Sequence, residues 1–317
     1  MRPSIPIRAA PLLCLAAWLT GCGTAPAGEA ANQGPAALVV HDFAKREVRF
    51  AQPPARIVAL GNGEADIVYA LGGSLVGRPN ATGADPLPAA AGDVPQVGSA
   101  HEVDLERITL AKPDVVLGNY PLNQKDIPTI EGLGAKLVLA GADSVEDVKR
   151  EVVLIGELLR REDAAAGLVA QIDEGLANVA ARRPAERPRV LLVYGAPGAN
   201  MAALPNSLSG DLLTLAGGDN IAAKFTSLQS FPQYAQLSAE RIVEADPQFI
   251  FIMSHGDAEA VKSSFVKDMS RNGAWDGVDA VRHGHVAILP ADLFGTNPGT
   301  RVIAALELLQ HELELTP

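Results

Sequence analysis

Two histidines and two tyrosines in this chain are of the types that could hold iron in a flat macrocycle: His101, His255, Tyr120 and Tyr234. Imidazole and phenol are both axial ligands that a protein can offer to heme iron. Arg78 adds a planar fork that could grip a ligand carboxylate through two parallel hydrogen bonds, although a structural ion pair would use it equally well. The remaining histidines, His41, His283, His285 and His311, read as surface residues, the middle two flanking Gly284 at an expected turn. Direct capture of Zn²⁺ or Mn²⁺ is the alternative metal chemistry. It calls for three or four converging histidines and carboxylates, and only two histidines converge here. Enzymatic signatures are missing: there is no Walker-A loop, GxSxG elbow, HExxH or Cys-based metal motif. In Asn206-Ser-Leu-Ser-Gly210 the glycine before the serine is lacking, so Ser209 reads as a helix cap. A secreted hydrolase using Ser207 or Ser209 is the remotest alternative. Gly61-Asn62-Gly63 follows a strand but lacks the third glycine of a dinucleotide fingerprint, and suits a tight turn.

What would position these side chains is a duplicated unit. Asp104–Gly118 reads DLERITLAKPDVVLG and Ser238–Ile252 reads SAERIVEADPQFIFI. Each is a short amphipathic helix, Ala-x-Pro, and an apolar run that suits a buried parallel strand. Glu106, Arg107, Ile108, Ala111 and Pro113 recur at one offset as Glu240, Arg241, Ile242, Ala245 and Pro247. Two related lobes explain this better than chance. In such open sheets, ligands bind beyond the carboxyl ends of the strands. His101 precedes the repeated helix of the first lobe, and Tyr120 follows its strand. His255 follows the strand of the second lobe, and Tyr234 takes nearly the place there that His101 has in the first.

Between the copies, residues 144–183 contain no proline and return apolar side chains at helical spacing, from Val148 through Val179. Ser144 with Asp147 makes a capping-box-like start, and Pro184 ends the run. The pattern predicts one helix of roughly 60 Å joining the lobes, with two helices broken near Arg160–Asp163 as the alternative. The first lobe, residues 36–143, is expected to begin with a hairpin turning at Ala44-Lys45-Arg46. Its strands follow at Arg56–Leu60, Ser74–Gly77, Gln96–Gly98, Val115–Leu117 and Lys136–Leu139. The second lobe, residues 184–317, has strands at Arg189–Tyr194, Phe249–Ile252 and Val286–Leu289, alternating with helices. The fold class is therefore α/β: two Rossmann-like lobes with central, mostly parallel sheets joined by one long rigid helix.

The start of the chain addresses it. Arg2 and Arg8 precede an apolar core and Leu19-Thr-Gly-Cys22, a secretory signal over residues 1–21 with a lipobox ending. Cys22 would be lipidated, and residues 22–35, rich in Ala, Gly and Pro, form a flexible tether. The only other cysteine, Cys14, lies in the discarded leader, so no disulfide is available. The net charge is -11, and losing Arg2 and Arg8 makes it about -13. With 4 % aromatic residues, so acidic a body argues against nucleic acid as a partner and against a broad basic membrane face.

Several stretches resemble one family. Arg56-Ile-Val-Ala-Leu60 leading to Asp66-Ile-Val-Tyr-Ala-Leu-Gly72 is similar to the opening of the iron-siderophore, heme and cobalamin substrate-binding lipoproteins of ABC importers. Val94-Pro-Gln-Val-Gly98, Leu105-Glu-Arg-Ile108 and Lys112-Pro-Asp-Val-Val116 resemble its next signature. Ser209-Gly-Asp-Leu-Leu213, Leu215-Ala-Gly-Gly-Asp-Asn220 and Leu237-Ser-Ala-Glu-Arg-Ile242 resemble those of its second lobe. The resemblance spans nearly the whole mature chain and implies class III binding proteins with a helical backbone and limited hinge motion. By that likeness the protein is a monomer outside the cytoplasm, tied to the membrane by its lipid. It would deliver an iron complex to a permease and its ATPase, with no permanently bound cofactor. Heme is preferred over a ferric siderophore, because His101 and His255 match the positions of axial ligands in heme-uptake members. Methionine is common at the first of these, so His101 is a departure. The resemblance also assigns permease docking to an acid near the start of one helix in each lobe, here Asp66 and Asp211. A plain helix-N-terminal role would equally place acids there.

Overall fold

The N-terminal hairpin forms where expected, and one aspartate explains its turn. β1 (Leu38–His41) and β2 (Glu47–Phe50) pair antiparallel, Leu38 opposite Phe50 and His41 opposite Glu47. Buried Asp42 accepts the Ala44 and Arg46 amides through Oδ1 and grips the Arg46 guanidinium through Oδ2. Arg46 also donates to the Leu137 carbonyl at 2.7 Å, fastening the hairpin to the first sheet. The computed structural model describes residues 37–81, 85, 87–196, 199–254, 258–270 and 273–314. The expected signal, the lipidation site Cys22, the tether and His255 lie outside the described residues.

In the first lobe β3 (Ile57–Ala59), β4 (Val115–Asn119) and β5 (Lys136–Ala140) run parallel in that order. The stretches expected as strands near Gly77 and Gln96 join the sheet only by single bridges, Val58 to Gly77 and Arg78 to Gln96. Successive strand residues point to opposite faces, and each face has its own core. Ile57, Ala59, Val115, Leu117 and Val138 pack with Ala65, Ile67 and Val68 of α1 (Asn62–Ala70). Val58, Leu60, Val116, Leu137 and Leu139 meet Ile108 of α2 (Leu105–Ala111) and Ile130 of α3 (Ile127–Gly132).

The connection to the second lobe corrects the expectation of a single helix over residues 144–183. It is a helical hairpin: α4 (Val145–Leu159), capped by Ser144, and α5 (Glu162–Ala181). Arg160 adopts the left-handed conformation (φ 54°), and the Arg161 amide bonds back to the Gly156 carbonyl at 2.8 Å. That hydrogen bond closes a helix in a Schellman turn. The chain then reverses, so that Lys149 Nζ reaches Asp173 at 2.7 Å and Gly156 abuts Ala165. Apolar periodicity runs on through the reversal because each helix has its own buried stripe, and an arginine in a glycine's conformation leaves no sequence signal. Both helices serve both lobes. Val152, Ile155, Leu158 and Ala165 lie in the first lobe's core, while Val145, Val148, Ile172 and Val179 lie in the second's.

The second sheet runs β11-β10-β6-β7-β9, with β8 (Asp219–Asn220) also on β6. Its parallel part is β6 (Arg189–Ala196), β10 (Phe249–Ser254) and β11 (Val286–Ile288). β7 (Ala199–Ala203) and β9 (Tyr234–Gln236) add an antiparallel edge that the sequence did not announce. β7 reads Ala-Asn-Met-Ala-Ala, without a β-branched or aromatic residue. Helices α6 (Leu208–Ala216) and α11 (Val302–Glu314) cover one face. On the other face lie α7 (Ala239–Ala245), α8 (Ala258–Ser270) and α9 (Asp279–His283). α10 (Ala291–Phe294) precedes the loop into α11. Among the described residues, no helix is long and apolar enough to cross a membrane.

The duplication extends to its caps. α2 and α7 begin on Asp104 and Ser238, whose side chains accept the amides of Arg107 and Arg241. Both end on left-handed residues, Lys112 and Asp246. Arg56, just before β3, donates to the carbonyls of Ala111 and Lys112, and Arg189, opening β6, donates to those of Ala245 and Asp246. Each arginine thus neutralises the negative end of the repeated helix.

Candidate functional site

His101 stands exposed on a tight loop beyond the end of β3. The Ala100 amide donates to the Leu60 carbonyl at 3.0 Å, and the Ser99 amide to the Glu102 carbonyl at 2.8 Å. Gly98 has φ 95°, and a Cβ there would collide with the Glu102 carbonyl, so only glycine fits. Tyr120, 40 % exposed, follows β4, its amide bonded to the Ala140 carbonyl at 2.7 Å. Fully buried Asn123 ties these two loops together. Its Oδ1 accepts the Asn119 amide at 2.9 Å, and its Nδ2 donates to the Ala100 carbonyl at 2.8 Å and to Asp126 at 2.9 Å. Sequence reasoning passed over Asn123, because a polar residue after a Tyr-Pro turn is the commonest of loop residues.

On the second lobe, Tyr234 opens β9 and its ring packs on that of Tyr194, centroids 5.1 Å apart. The neighbouring Gln233 donates to Asp143, in the segment leading to α4, at 3.0 Å. Burial pushes the Tyr194 phenol up to about 12, with Tyr234 adding to the effect. Tyr234 is raised by burial and then by the Asp143 charge. Both phenols are therefore harder to ionise than a free tyrosine. The carboxyl end of β10, which leads to His255, stops at buried Ser254.

The structure gives several of the expected site residues partners of their own. Arg78 is 5 % exposed and ion-paired with Asp85, so its guanidinium serves the first lobe's interior instead of facing a ligand carboxylate. Asp66 is 9 % exposed, and its Oδ2 accepts both the amide and the hydroxyl of Thr300 at 2.7 Å. A carboxylate so engaged has no free face for docking; it links α1 to the second lobe. Asp211, half-buried, accepts the Val145 amide at 2.8 Å and anchors the start of α4 in the same way. Ser207, not Ser209, caps α6: its Oγ accepts the Gly210 amide and donates to the Leu204 carbonyl. The Ser207 hydroxyl is buried, with both of these bonds holding it in place. Of the histidines read as surface residues, His285 is half-buried, stacked on Phe249 with centroids 5.0 Å apart. Among the described residues, no three or more His, Cys, Asp or Glu side chains gather as a metal site.

Residues 57–293 match the family model described as "Periplasmic binding protein". The chain belongs to the periplasmic binding protein family. Such proteins bind and hand over substrates and are not enzymes. A curated relative, the high-affinity heme uptake system protein IsdE of Staphylococcus aureus strain MRSA252, is 29 % identical over 224 residues, 70 % of this chain and 74 % of that one. The crystal structure of an ABC transporter substrate-binding protein from Listeria monocytogenes EGD-e is similar at TM-score 0.71 and 27 % identity, over 82 % of this chain and 98 % of that one. The structure of S. aureus IsdE complexed with heme gives TM-score 0.72 at 25 % identity, over 81 % and 98 %. The two-lobe architecture of this family is the one described above.

Proposed function

We propose that this chain is a lipid-anchored, extracytoplasmic substrate-binding protein of an ABC importer that captures an iron complex between its lobes, heme in preference to a ferric siderophore. His101 and His255 would approach the iron from opposite lobes, with Tyr234 in reserve and Tyr120 lining the rim. The observation that carries the reading is the presentation of His101. Its loop is pinned to β3 and, through Asn123, to the Tyr120 loop, while the imidazole is left exposed. A side chain offered to solvent on a backbone held rigid suits ligation, since little order remains to be imposed on binding. The likeness to a heme uptake protein supports the choice of ligand. Cys22 would carry the lipid, and the permease with its ATPase would be the receiving partner.

The test is spectroscopic. Heme added to the purified protein is expected to shift its Soret band, and His101→Ala and His255→Ala each to change the ligation spectrum and weaken binding. An unshifted band with folded protein refutes the heme assignment. In that event, quenching of Trp275 fluorescence by a ferric siderophore, or calorimetric heat with free Zn²⁺ or Mn²⁺, identifies the rival.

A further inference from the structure

Two buried glutamates lie where the lobes meet, and they are short of counter-charge. Glu64, in the first turn of α1, is 4 % exposed, and Glu151, midway along α4, is wholly buried. Glu151 Oε2 accepts Asn297 Nδ2 at 2.9 Å, while Oε1 has no hydrogen-bond partner. Asn297 belongs to the second lobe's loop between α10 and α11, and its own Oδ1 accepts the Gly299 amide at 2.9 Å. Its side chain lies so close to Gly63 that no Cβ fits there. Asp66, two residues from Glu64, holds Thr300 of the same loop. One loop of the second lobe is thus held by a row of acids on α1 and α4.

The charges facing this junction do not balance. α1 contributes Glu64 and Asp66; α4 contributes Glu151 and, one turn earlier, Asp147; the second lobe contributes Asp292 and Arg301. Arg301 stands 3.3 Å from Asp292 and 3.6 Å from Asp66, so the nearest guanidinium is already shared between two carboxylates. Asp147 is answered by Arg150 at 2.7 Å. Among the described residues, no cation pairs with Glu64 or Glu151. Burial away from any cation disfavours the charged carboxylate, and it outweighs the opposing hydrogen bonds, from Asn297 to Glu151 and from its own backbone to Glu64.

We propose that Glu64 and Glu151 form a proton-holding clasp between the lobes, retaining at least one proton at neutral pH and letting the 295–301 loop loosen from α1 and α4 when that proton leaves. Burial raises both carboxyls above the ordinary glutamate range, and Glu64, Asp66 and Asp147 push Glu151 further. The folded chain therefore binds the proton more tightly than the unfolded chain. The clasp's stabilisation is complete below the ordinary glutamate value of about 4.3 and fades as pH climbs through the raised folded values. The clasp depends on the junction alone and holds whichever ligand the cleft takes.

Infrared spectroscopy of the purified full chain tests this directly. A protonated-carboxyl band is expected at pH 7 and is expected to be lost or to shrink in Glu151→Gln, while Glu64→Gln is expected to keep it but to move its titration to lower pH. Thermal melts supply the linked readout: Glu151→Gln should melt about 2–4 °C above the parent at pH 8 and level with it near pH 4. Exchange of the Gly299 and Thr300 amides, corrected for intrinsic rates, should speed up in the parent as pH rises and stay flat in the variant. Absence of the band at pH 7, or melting curves that run parallel from pH 4 to 8, overturns the proposal. Should neither variant fold, the band and the amide exchange of the parent chain decide it.

Discussion

Asn123 is the residue on which the presentation of His101 turns. Its three hydrogen bonds join the ends of β3 and β4 beyond the sheet, where strand pairing no longer holds the chain. Asn123→Ala would leave the Asn119 amide and the Ala100 carbonyl unpaired, at about 2–3 kcal/mol by chemical denaturation. It should also weaken heme binding without touching either proposed ligand. Gly98, Ser99 and His101 were legible as a loop of interest from their place before the repeated helix. The residue that fixes the loop was not, because the partner that joins the two loops, the Ala100 carbonyl, lies 23 residues away in sequence. Arg78 shows the reverse. Its type suggested a ligand contact, and only the packing of the first lobe revealed Asp85 as its partner.

At the scale of elements, the strands and short helices followed from apolar runs and caps, whereas the αα-hairpin did not. Its reversal rests on Arg160 in a left-handed conformation, which costs a residue with a Cβ about 1 kcal/mol. Arg160→Gly is therefore expected to leave the protein as stable or raise its stability by about 0.5–1 kcal/mol. In the interior of one continuous helix, the same change would cost about 1 kcal/mol. Urea midpoints separate the two cases. The edge strands β7 and β9 escaped notice for another reason. Alanine, asparagine and methionine pair there because β6 offers a free edge, not from any preference of their own.

Across the whole molecule, α4 and α5 place side chains in the cores of both lobes, and Asp66, Glu151 and Asn62 reach the second lobe's 295–301 loop. Neither lobe can lose its packing without disturbing a helix that the other needs. Unfolding is expected to be one cooperative transition, with the fluorescence of Trp275 in the second lobe tracking far-ultraviolet circular dichroism of the whole chain. Separated midpoints for the two probes would show lobes that melt alone. A hairpin shared in this way couples the packing of the two lobes.

The sequence by itself determined the duplicated strand-and-helix unit, the two α/β lobes and the loops that carry His101 and Tyr120. Those features rest on local periodicity, capping and recurrence, which are written along the chain. Tertiary structure alone decided that the joining segment folds back, that Asp66 is buried against Thr300, and that Glu64 and Glu151 share a buried junction. Each of these depends on which surfaces meet, and a side chain's charge, exposure and proton are settled by neighbours that lie far away in sequence.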